Sequence, residues 1–206
     1  MTKKRSSIVY QFRIELLEIE PTIWRTIQVP SEYSFWDLHV AIQDAMGWLD
    51  YHLHAFHVRM PHRRRDTEIG IPDDEDFDHA VLPGWQVPIT EYFTEPGKSA
   101  IYDYDFGDGW SHRVLLEAML LKEDRAKYPR CIAGERACPP EDCGGVHGYY
   151  ELLEILGNTD HAEYEEYIEW LKGYAKNDDP YDPGKFNPDE VKFWDPKKRW
   201  KMAFSE

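Results

Sequence analysis

Thiol and imidazole side chains occur close together in one stretch of the chain, at Cys131, Cys138, Cys143 and His147. Thiolate and imidazole are the ligands that tetrahedral zinc prefers. The spacing differs from the paired C-x-x-C pattern of many zinc sites, and Pro139-Pro140 can hold two of the thiols apart. Three interpretations follow: a zinc site with these four ligands, a rigid loop with packed free thiols, or an anion site where the next helix begins.

The same stretch also allows a thiol enzyme. A nucleophilic cysteine needs a base within hydrogen-bond distance, because the thiolate is the reactive form. His147, four residues after Cys143, is the candidate base. This chemistry is less favoured than the zinc site or the packed loop.

Carboxylates and an imidazole also flank the turn Gly107-Asp108-Gly109, namely Asp103, Asp105, Asp108 and His112. Such groups can perform acid–base catalysis or bind a metal if they meet. Loop length decides which residues face each other across the hairpin. A two-residue loop would place Asp103 opposite His112.

A three-residue loop with Gly109 in the left-handed conformation separates polar from apolar side chains better. It places Tyr104 opposite His112 and Phe106 opposite Trp110 on an apolar face. Asp103 then lies opposite Arg113, and Asp105 opposite Ser111, on the other face. We therefore predict a structural His112 and a cross-strand ion pair between Asp103 and Arg113.

Three histidines, His52, His54 and His57, lie in or directly before the segment Leu53–Met60, whose apolar residues alternate. Side chains alternate along a strand, so His52 and His54 share one face and His57 lies on the other. A metal site here would need a third ligand from elsewhere. The favoured interpretation is that these imidazoles pack at a strand edge.

Apolar periodicity predicts the elements around these residues. Ile8–Leu16 and Ile23–Val29 are expected to form an antiparallel hairpin, followed by a helix that Ser34 caps and Gly47 ends. Further strands are predicted at Leu53–Met60, Ala100–Phe106 and Trp110–Leu121, and helices at Tyr149–Leu156 and around Tyr164–Leu171. A turn and a last short helix carrying Phe193 and Trp194 should complete the tail.

These elements predict an α+β fold, with an antiparallel sheet of hairpins packed against helices and a C-terminal helical segment. We expect one domain over residues 1–206. Residues 61–98 form a long polar excursion, residues 129–148 a loop rich in Cys, Pro and Gly, and residues 149–206 a mainly helical part.

The composition limits the classes of function. The net charge of −15 disfavours direct binding to duplex DNA, whose affinity depends on cationic side chains. The chain lacks an apolar run long enough to cross a bilayer, so no membrane association is expected. The 3 cysteines, an odd number, indicate reduced thiols and a cytoplasmic protein rather than a disulfide framework.

Four segments together resemble the plasmid pRiA4b ORF-3-like family, and they span nearly the whole chain: Ile19–Arg25, Tyr104–Trp110, Cys138–Gly145 and Tyr181–Pro183. The resemblance implies an α+β fold. Some members of the family are described as plasmid resolvases. A serine recombinase needs a nucleophilic serine among phosphate-binding arginines, and here the only basic group beside a serine is Lys3-Lys4-Arg5.

We therefore predict a non-enzymatic binding or adaptor module for a protein partner or small ligand, with zinc as the possible cofactor. The alternative is a small metal-dependent or thiol enzyme. A resolvase-like protein is the least favoured hypothesis.

Overall fold

A hairpin of two buried strands begins the fold. The computed structural model describes residues 8–59, 66–72, 81–174 and 180–204. Strands β1 (Ile8–Leu16) and β2 (Trp24–Pro30) pair antiparallel, as predicted. In β1 the even positions from Tyr10 to Leu16 are buried, because side chains alternate across the sheet.

Helix α1 (Phe35–Met46) follows the hairpin and begins and ends where the sequence predicts. The Ser34 hydroxyl accepts a hydrogen bond from the Asp37 amide, and the Asp37 carboxylate accepts one from the Ser34 amide. This reciprocal pair satisfies two amides that the helix leaves free. Gly47 adopts a left-handed conformation with φ of 97°, which ends the helix.

Six further strands complete an eight-stranded sheet within the described residues: β3 (His54–Val58), β4 (Thr67–Gly70), β5 (Leu82–Pro83), β6 (Ser99–Tyr104), β7 (Trp110–Leu121) and β8 (Arg130–Glu135). The strand order is β5-β4-β3-β6-β7-β1-β2-β8. All pairs are antiparallel except β4 with β5. The predicted α+β class with a sheet of hairpins is therefore confirmed.

Helices α2 (Gly145–Leu156), α3 (Tyr164–Leu171) and α4 (Pro196–Phe204) occupy the C-terminal part. The prediction that the last helix carries Phe193 and Trp194 is wrong, since both precede it. The helix begins at Pro196 because proline suits the first helical position, and the Asp195 carboxylate accepts a hydrogen bond from the Lys197 amide.

The hairpin of β6 and β7 has a register that differs from both of those considered. Tyr104 lies opposite Trp110 and Asp103 opposite Ser111, so five residues connect the strands. The Asp105 carboxylate accepts hydrogen bonds from the amides of Gly107 and Asp108, which holds a longer turn. Gly109 is left-handed, with φ of 72°, as expected.

This register corrects the predicted ion pair between Asp103 and Arg113. Asp103 contacts Ser111 and His57, whereas Arg113 pairs with Glu15 of β1. The shift from the preferred register is two residues, which leaves every side chain on its predicted face. For this reason Tyr104 and His112 are both buried as expected.

Two predicted irregular stretches contain regular structure. The described part of the 61–98 excursion carries β4, β5 and a short turn of helix at Ile89–Glu91. Within 129–148, Arg130–Glu135 is a strand paired with β2, and α2 starts at Gly145. The half-exposed residues of β8 lack clear alternation, which hid this strand. Residues 61–65 and 73–80 of the 61–98 excursion lie outside the described residues.

Candidate functional site

Three segments that are distant in sequence meet beside the tip of the β6–β7 hairpin. The Trp48 indole donates a hydrogen bond to the Pro139 carbonyl at 2.9 Å. The Leu49 amide donates to the Glu141 carboxylate at 2.8 Å, and the Gly144 amide donates to the Asp108 carboxylate at 3.1 Å. These bonds hold the segment after α1, the hairpin tip and the loop before α2 together.

Gly145 allows the close approach of that loop. Its φ is 68°, and a Cβ atom there would lie 2.3 Å from the Asp108 carbonyl oxygen. Only glycine adopts this conformation at so short a distance without a shift of the backbone. The loop can therefore rest directly on the hairpin tip.

A buried pair of side chains lies under this junction. The Tyr104 hydroxyl donates a hydrogen bond to the Glu141 carboxylate at 2.5 Å and accepts one from the Tyr51 amide at 3.1 Å. Burial, together with the neighbouring Glu141, raises the pKa of Tyr104 well above its ordinary value. Glu141 is 3% exposed. One of its carboxylate oxygens accepts from the Tyr104 hydroxyl and the other from the Leu49 amide, so the side chain joins these two segments.

The junction brings His52, Asp105 and Asp142 together, and we call these three residues the histidine–aspartate centre. His52 Nε2 lies 3.1 Å from Asp142 Oδ1 and 3.5 Å from Asp105 Oδ2. The three ligand atoms lie within 4.8 Å of one another. Within the described residues, this is the only group of three or more His, Cys, Asp or Glu side chains arranged so closely.

A small cleft opens beside the centre, and we call it the acidic cleft. Its volume is about 300 Å³. It is lined by Leu49, Tyr51, Glu141, Asp142, Trp170 and Gly173. Asp142 belongs to both the cleft and the centre.

The structure does not gather the four predicted zinc ligands into such a group. Cys131 lies on β8, where its thiol donates to the Ala133 carbonyl, and His147 is exposed on α2. Cys138 and Cys143 lie in the loop between these elements and pack against the core. Zinc binding by this set stays a prediction.

A buried cation lies near two of these thiols. The Arg25 guanidinium is close enough to Cys131 and Cys138 to interact with them electrostatically, and burial lowers its pKa. It donates hydrogen bonds to the carbonyls of Ala45 and Glu135 at 3.0 Å each. A fixed positive charge at this position opposes a metal ion bound to the same thiols.

The environments of Cys131 and Cys143 do not favour thiolates. Burial raises the pKa of Cys131, and burial together with the nearby Asp108 raises the pKa of Cys143 to about 12. A nucleophilic cysteine needs the opposite shift.

The remaining predicted imidazoles have separate positions. His54 is buried on β3 and stacks on His39 of α1, with ring centroids 3.4 Å apart. His112 is buried on β7, bonded to the Tyr102 carbonyl, and burial lowers its pKa to about 4. His57 points to the opposite face and pairs with Asp103 at 3.0 Å. A purely structural role for these three histidines stays a prediction.

A second, larger cleft lies on another part of the molecule, between the start of α1 and α4. We call it the aromatic cleft, and its volume is about 620 Å³. Its lining includes three indoles, two prolines and four charged side chains: Trp36, Trp85, Trp200, Pro88, Pro196, Glu32, Asp37, Lys197 and Lys201.

Comparison with known proteins identifies the family. The profile described as "Plasmid pRiA4b ORF-3-like protein" matches residues 8–190. The chain belongs to the plasmid pRiA4b ORF-3-like family. The resemblance seen in the four sequence segments is thus confirmed.

Two relatives of the pRiA4b ORF-3-like family have comparable length. "Uncharacterized protein y4hQ" of Sinorhizobium fredii is 34% identical over 163 residues, which cover 79% of this chain and 80% of that protein. The crystal structure of the protein of unknown function MM3350 from Methanosarcina mazei Go1 is 41% identical, with a TM-score of 0.79. That match covers 91% of this chain and 99% of the other, and it shows the same fold.

The family segments explain what sequence reasoning missed. Asp105 lies in the segment Tyr104–Trp110, and Asp142 in the segment Cys138–Gly145. Each carries a carboxylate in a turn, and the two segments touch in the fold. Considering the segments jointly would have suggested this pair, and the alternation of the histidine strand had already indicated His52 as a candidate ligand.

Among the described helices, none combines the length and apolar character that a bilayer crossing requires.

Proposed function

We propose that the chain is a non-enzymatic, cytoplasmic binding module that holds a segment of a partner protein in the aromatic cleft. The observation that carries this proposal is a cleft of about 620 Å³ walled by three tryptophans. Its volume lies within the range of ligand-binding clefts. Tryptophan is among the residues that contribute most to binding at protein interfaces.

The walls of the aromatic cleft are held in place before any partner arrives. The Trp36 indole donates a hydrogen bond to the Pro196 carbonyl at 3.1 Å. The Trp200 ring packs against Trp36 and Trp85, with ring centroids 5.2 Å and 4.4 Å apart. Arg199 of α4 forms an ion pair with Asp44 of α1, with 3.3 Å between Nη2 and Oδ1. A preformed surface loses less conformational entropy on binding.

The chemistry of the walls indicates the kind of segment that would fit. Indole and proline surfaces suit an extended chain with apolar or proline side chains. Lys197 and Lys201 are four residues apart on α4, so they share a face, and neither forms an ion pair with another described residue. In the bound segment, an acidic residue adjacent to an apolar residue would form an ion pair with these lysines.

The thiol groups and the net charge favour a binding role over the alternatives. Raised pKa values at Cys131 and Cys143 disfavour thiol catalysis. The net charge of −15 disfavours duplex DNA as the partner. The serine hydroxyls at Ser34 and Ser111 serve helix capping and a bond to Asp103, which disfavours their use as recombinase nucleophiles.

A fluorescence titration tests the proposal. The probe is a synthetic peptide in which proline and leucine alternate with glutamate, and a second peptide carries lysine in place of glutamate. We expect the acidic peptide to bind with a Kd below about 1 mM and the basic peptide to bind more weakly. Trp85→Ala should weaken binding of the acidic peptide at least about tenfold.

Matched variants separate the cleft from general surface effects. Tyr51→Ala removes an aromatic side chain that is 74% exposed outside the cleft and should leave binding unchanged. Lys201→Ala should weaken binding, whereas Lys172→Ala, on an exposed ion pair elsewhere, should not. Failure of both peptides to bind, or equal binding by the Trp85 and Tyr51 variants, would reject the proposal.

A further inference from the structure

We infer that the histidine–aspartate centre is a binding site for a divalent transition-metal ion of the zinc class. His52, Asp105 and Asp142 supply one nitrogen and two oxygen ligands. The site lies apart from the aromatic cleft, shares no residue with it, and does not depend on peptide binding there.

The spacing of the ligand atoms fits a shared metal ion, and His52 Nε2 lacks the hydrogen bond that its distances would allow. His52 Nε2 is buried from solvent and makes no hydrogen bond, although two carboxylate oxygens lie 3.1 and 3.5 Å away. Its N–H direction therefore points at neither oxygen. Zinc bonds of about 2.0 to 2.2 Å at tetrahedral angles place ligand atoms about 3.3 Å apart, which matches both distances.

A second observation is the free oxygen of Asp105. Its side chain is 9% exposed, and its Oδ1 accepts two amide hydrogen bonds within the turn. Its Oδ2 accepts none from the described residues and faces His52. The negative charge of this largely buried side chain is costly unless a nearby cation or proton compensates it. A metal ion between Asp105, His52 and Asp142 provides that compensation.

The surrounding residues hold the ligands in position, as metal sites require. The turn amides fix Asp105, and hydrogen bonds from the Tyr104 hydroxyl and the Leu49 amide fix Glu141, the residue before Asp142. The His52 ring packs edge-on against Tyr104, with centroids 5.8 Å apart. These contacts hold the three ligand atoms within 4.8 Å of one another.

The donor set selects the class of ion. Two carboxylates balance the charge of a divalent cation, and imidazole favours zinc and its neighbours over magnesium or calcium. Three protein ligands leave at least one coordination position open. Because Asp142 also lines the acidic cleft, water can fill that position from the cleft.

The test is a calorimetric titration of the chelator-treated full chain with zinc chloride. Elemental analysis after gel filtration gives the amount of zinc retained. We expect about one equivalent in the wild type. Asp142→Asn should weaken zinc binding at least about tenfold, because one anionic ligand is lost.

The variant is chosen so that folding is preserved. Asp142 has φ of 58° and its side chain is 59% exposed, and asparagine tolerates that backbone conformation. Asp105→Asn retains an oxygen for the turn amides and removes the charge, so it supplies a second measurement. Circular dichroism verifies that both variants fold.

Two controls make the outcome decisive. Asp103→Asn removes one negative charge, as Asp105→Asn does, and it lies in the same hairpin as Asp105. Because Asp103 pairs with His57 and not with His52, this variant should leave zinc binding unchanged. Cys138→Ser should also retain the full equivalent. Zinc that is lost in Cys138→Ser and kept in Asp142→Asn would overturn the proposal, as would a wild type that binds zinc no more tightly than Asp142→Asn.

Discussion

Two regions of the molecule carry metal-binding side chains, and they differ in how the fold holds them. The cysteines and His147 follow one another along the chain, yet a strand, a loop and a helix each carry some of them. The histidine–aspartate centre draws its ligands from a hairpin tip and from two distant segments that dock beside it. Closeness in sequence does not make ligand atoms converge, whereas docked turns do.

The electrostatic surroundings of the two regions also differ. Near Cys131 and Cys138 lies the buried cation of Arg25, whose guanidinium donates hydrogen bonds to backbone carbonyls. Around His52 the fixed charges are carboxylates. The Arg25 charge therefore opposes a metal ion at Cys131 and Cys138, whereas the carboxylates favour one at His52.

The largest expected effect on stability concerns the buried residue at the start of β7, next to the hairpin tip that carries the histidine–aspartate centre. Trp110 is 1% exposed at the start of β7, so Trp110→Ala should reduce the free energy of unfolding by about 3 to 5 kcal/mol. Phe106→Ala, at a loop residue that is 58% exposed, serves as the control and should cost far less. Equal losses in urea melts would show that the tip does not rest on the core.

The second prediction concerns pH. Because His112 has a folded pKa of about 4 and an unfolded value near 6.5, the unfolded chain binds more protons between these values. Stability should therefore fall as the pH decreases from about 6.5 to 4, by at most about 3 kcal/mol from this residue. Burial also lowers the pKa of His54, which adds loss in the same direction.

Urea melts at pH 7.5 and 4.5 measure this loss. His112→Leu should show a smaller difference between the two pH values than the wild type does. His147→Gln removes an exposed imidazole of the cysteine-bearing region and should leave the difference unchanged. A wild-type difference that His112→Leu leaves intact would contradict the assignment.

The third prediction compares the two regions directly through thermal stability. Zinc at about one hundred times its Kd should stabilise the wild type by about 3 kcal/mol, because only the folded state assembles the site. Cys138→Ser should lower stability by about 1 kcal/mol and keep the full zinc effect. Asp142→Asn should lose that effect. A zinc effect abolished by Cys138→Ser would restore the cysteines as ligands.

The smallest expected effect concerns Arg113. Its side chain is 49% exposed and pairs with Glu15, so Arg113→Ala should cost less than about 1 kcal/mol. A double-mutant cycle with Glu15→Ala should show coupling, and one with Asp103→Ala should show none. Coupling to Asp103 instead would favour the three-residue loop.

Much of the fold was predictable because its signals are local. The alternation in β1, the capping pair of Ser34 and Asp37, and Gly47 at the helix end each depend on neighbouring residues. The strand β8 and the start of α4 were missed because half-exposed residues carry weak periodicity and because Phe193 and Trp194 suggested a helix before Pro196.

The candidate site was less predictable, because its geometry depends on one turn. The side chain of Asp105 bonds to two amides and lengthens the hairpin loop, which changed the partners of Asp103 and Arg113. Polarity identified the face of each residue, since a shift of two residues preserves it. It could not identify the cross-strand partner.

The sequence by itself determined the fold class, the family, the elements of regular periodicity and the buried faces of the hairpins. Those features follow from local propensity and from alternation along a single strand. Only the tertiary structure decided that His52 meets Asp105 and Asp142, and that Trp36, Trp85 and Trp200 wall one cleft. Such meetings depend on how distant turns and helices dock, and this depends on packing and hydrogen bonds between segments that sequence order does not reveal.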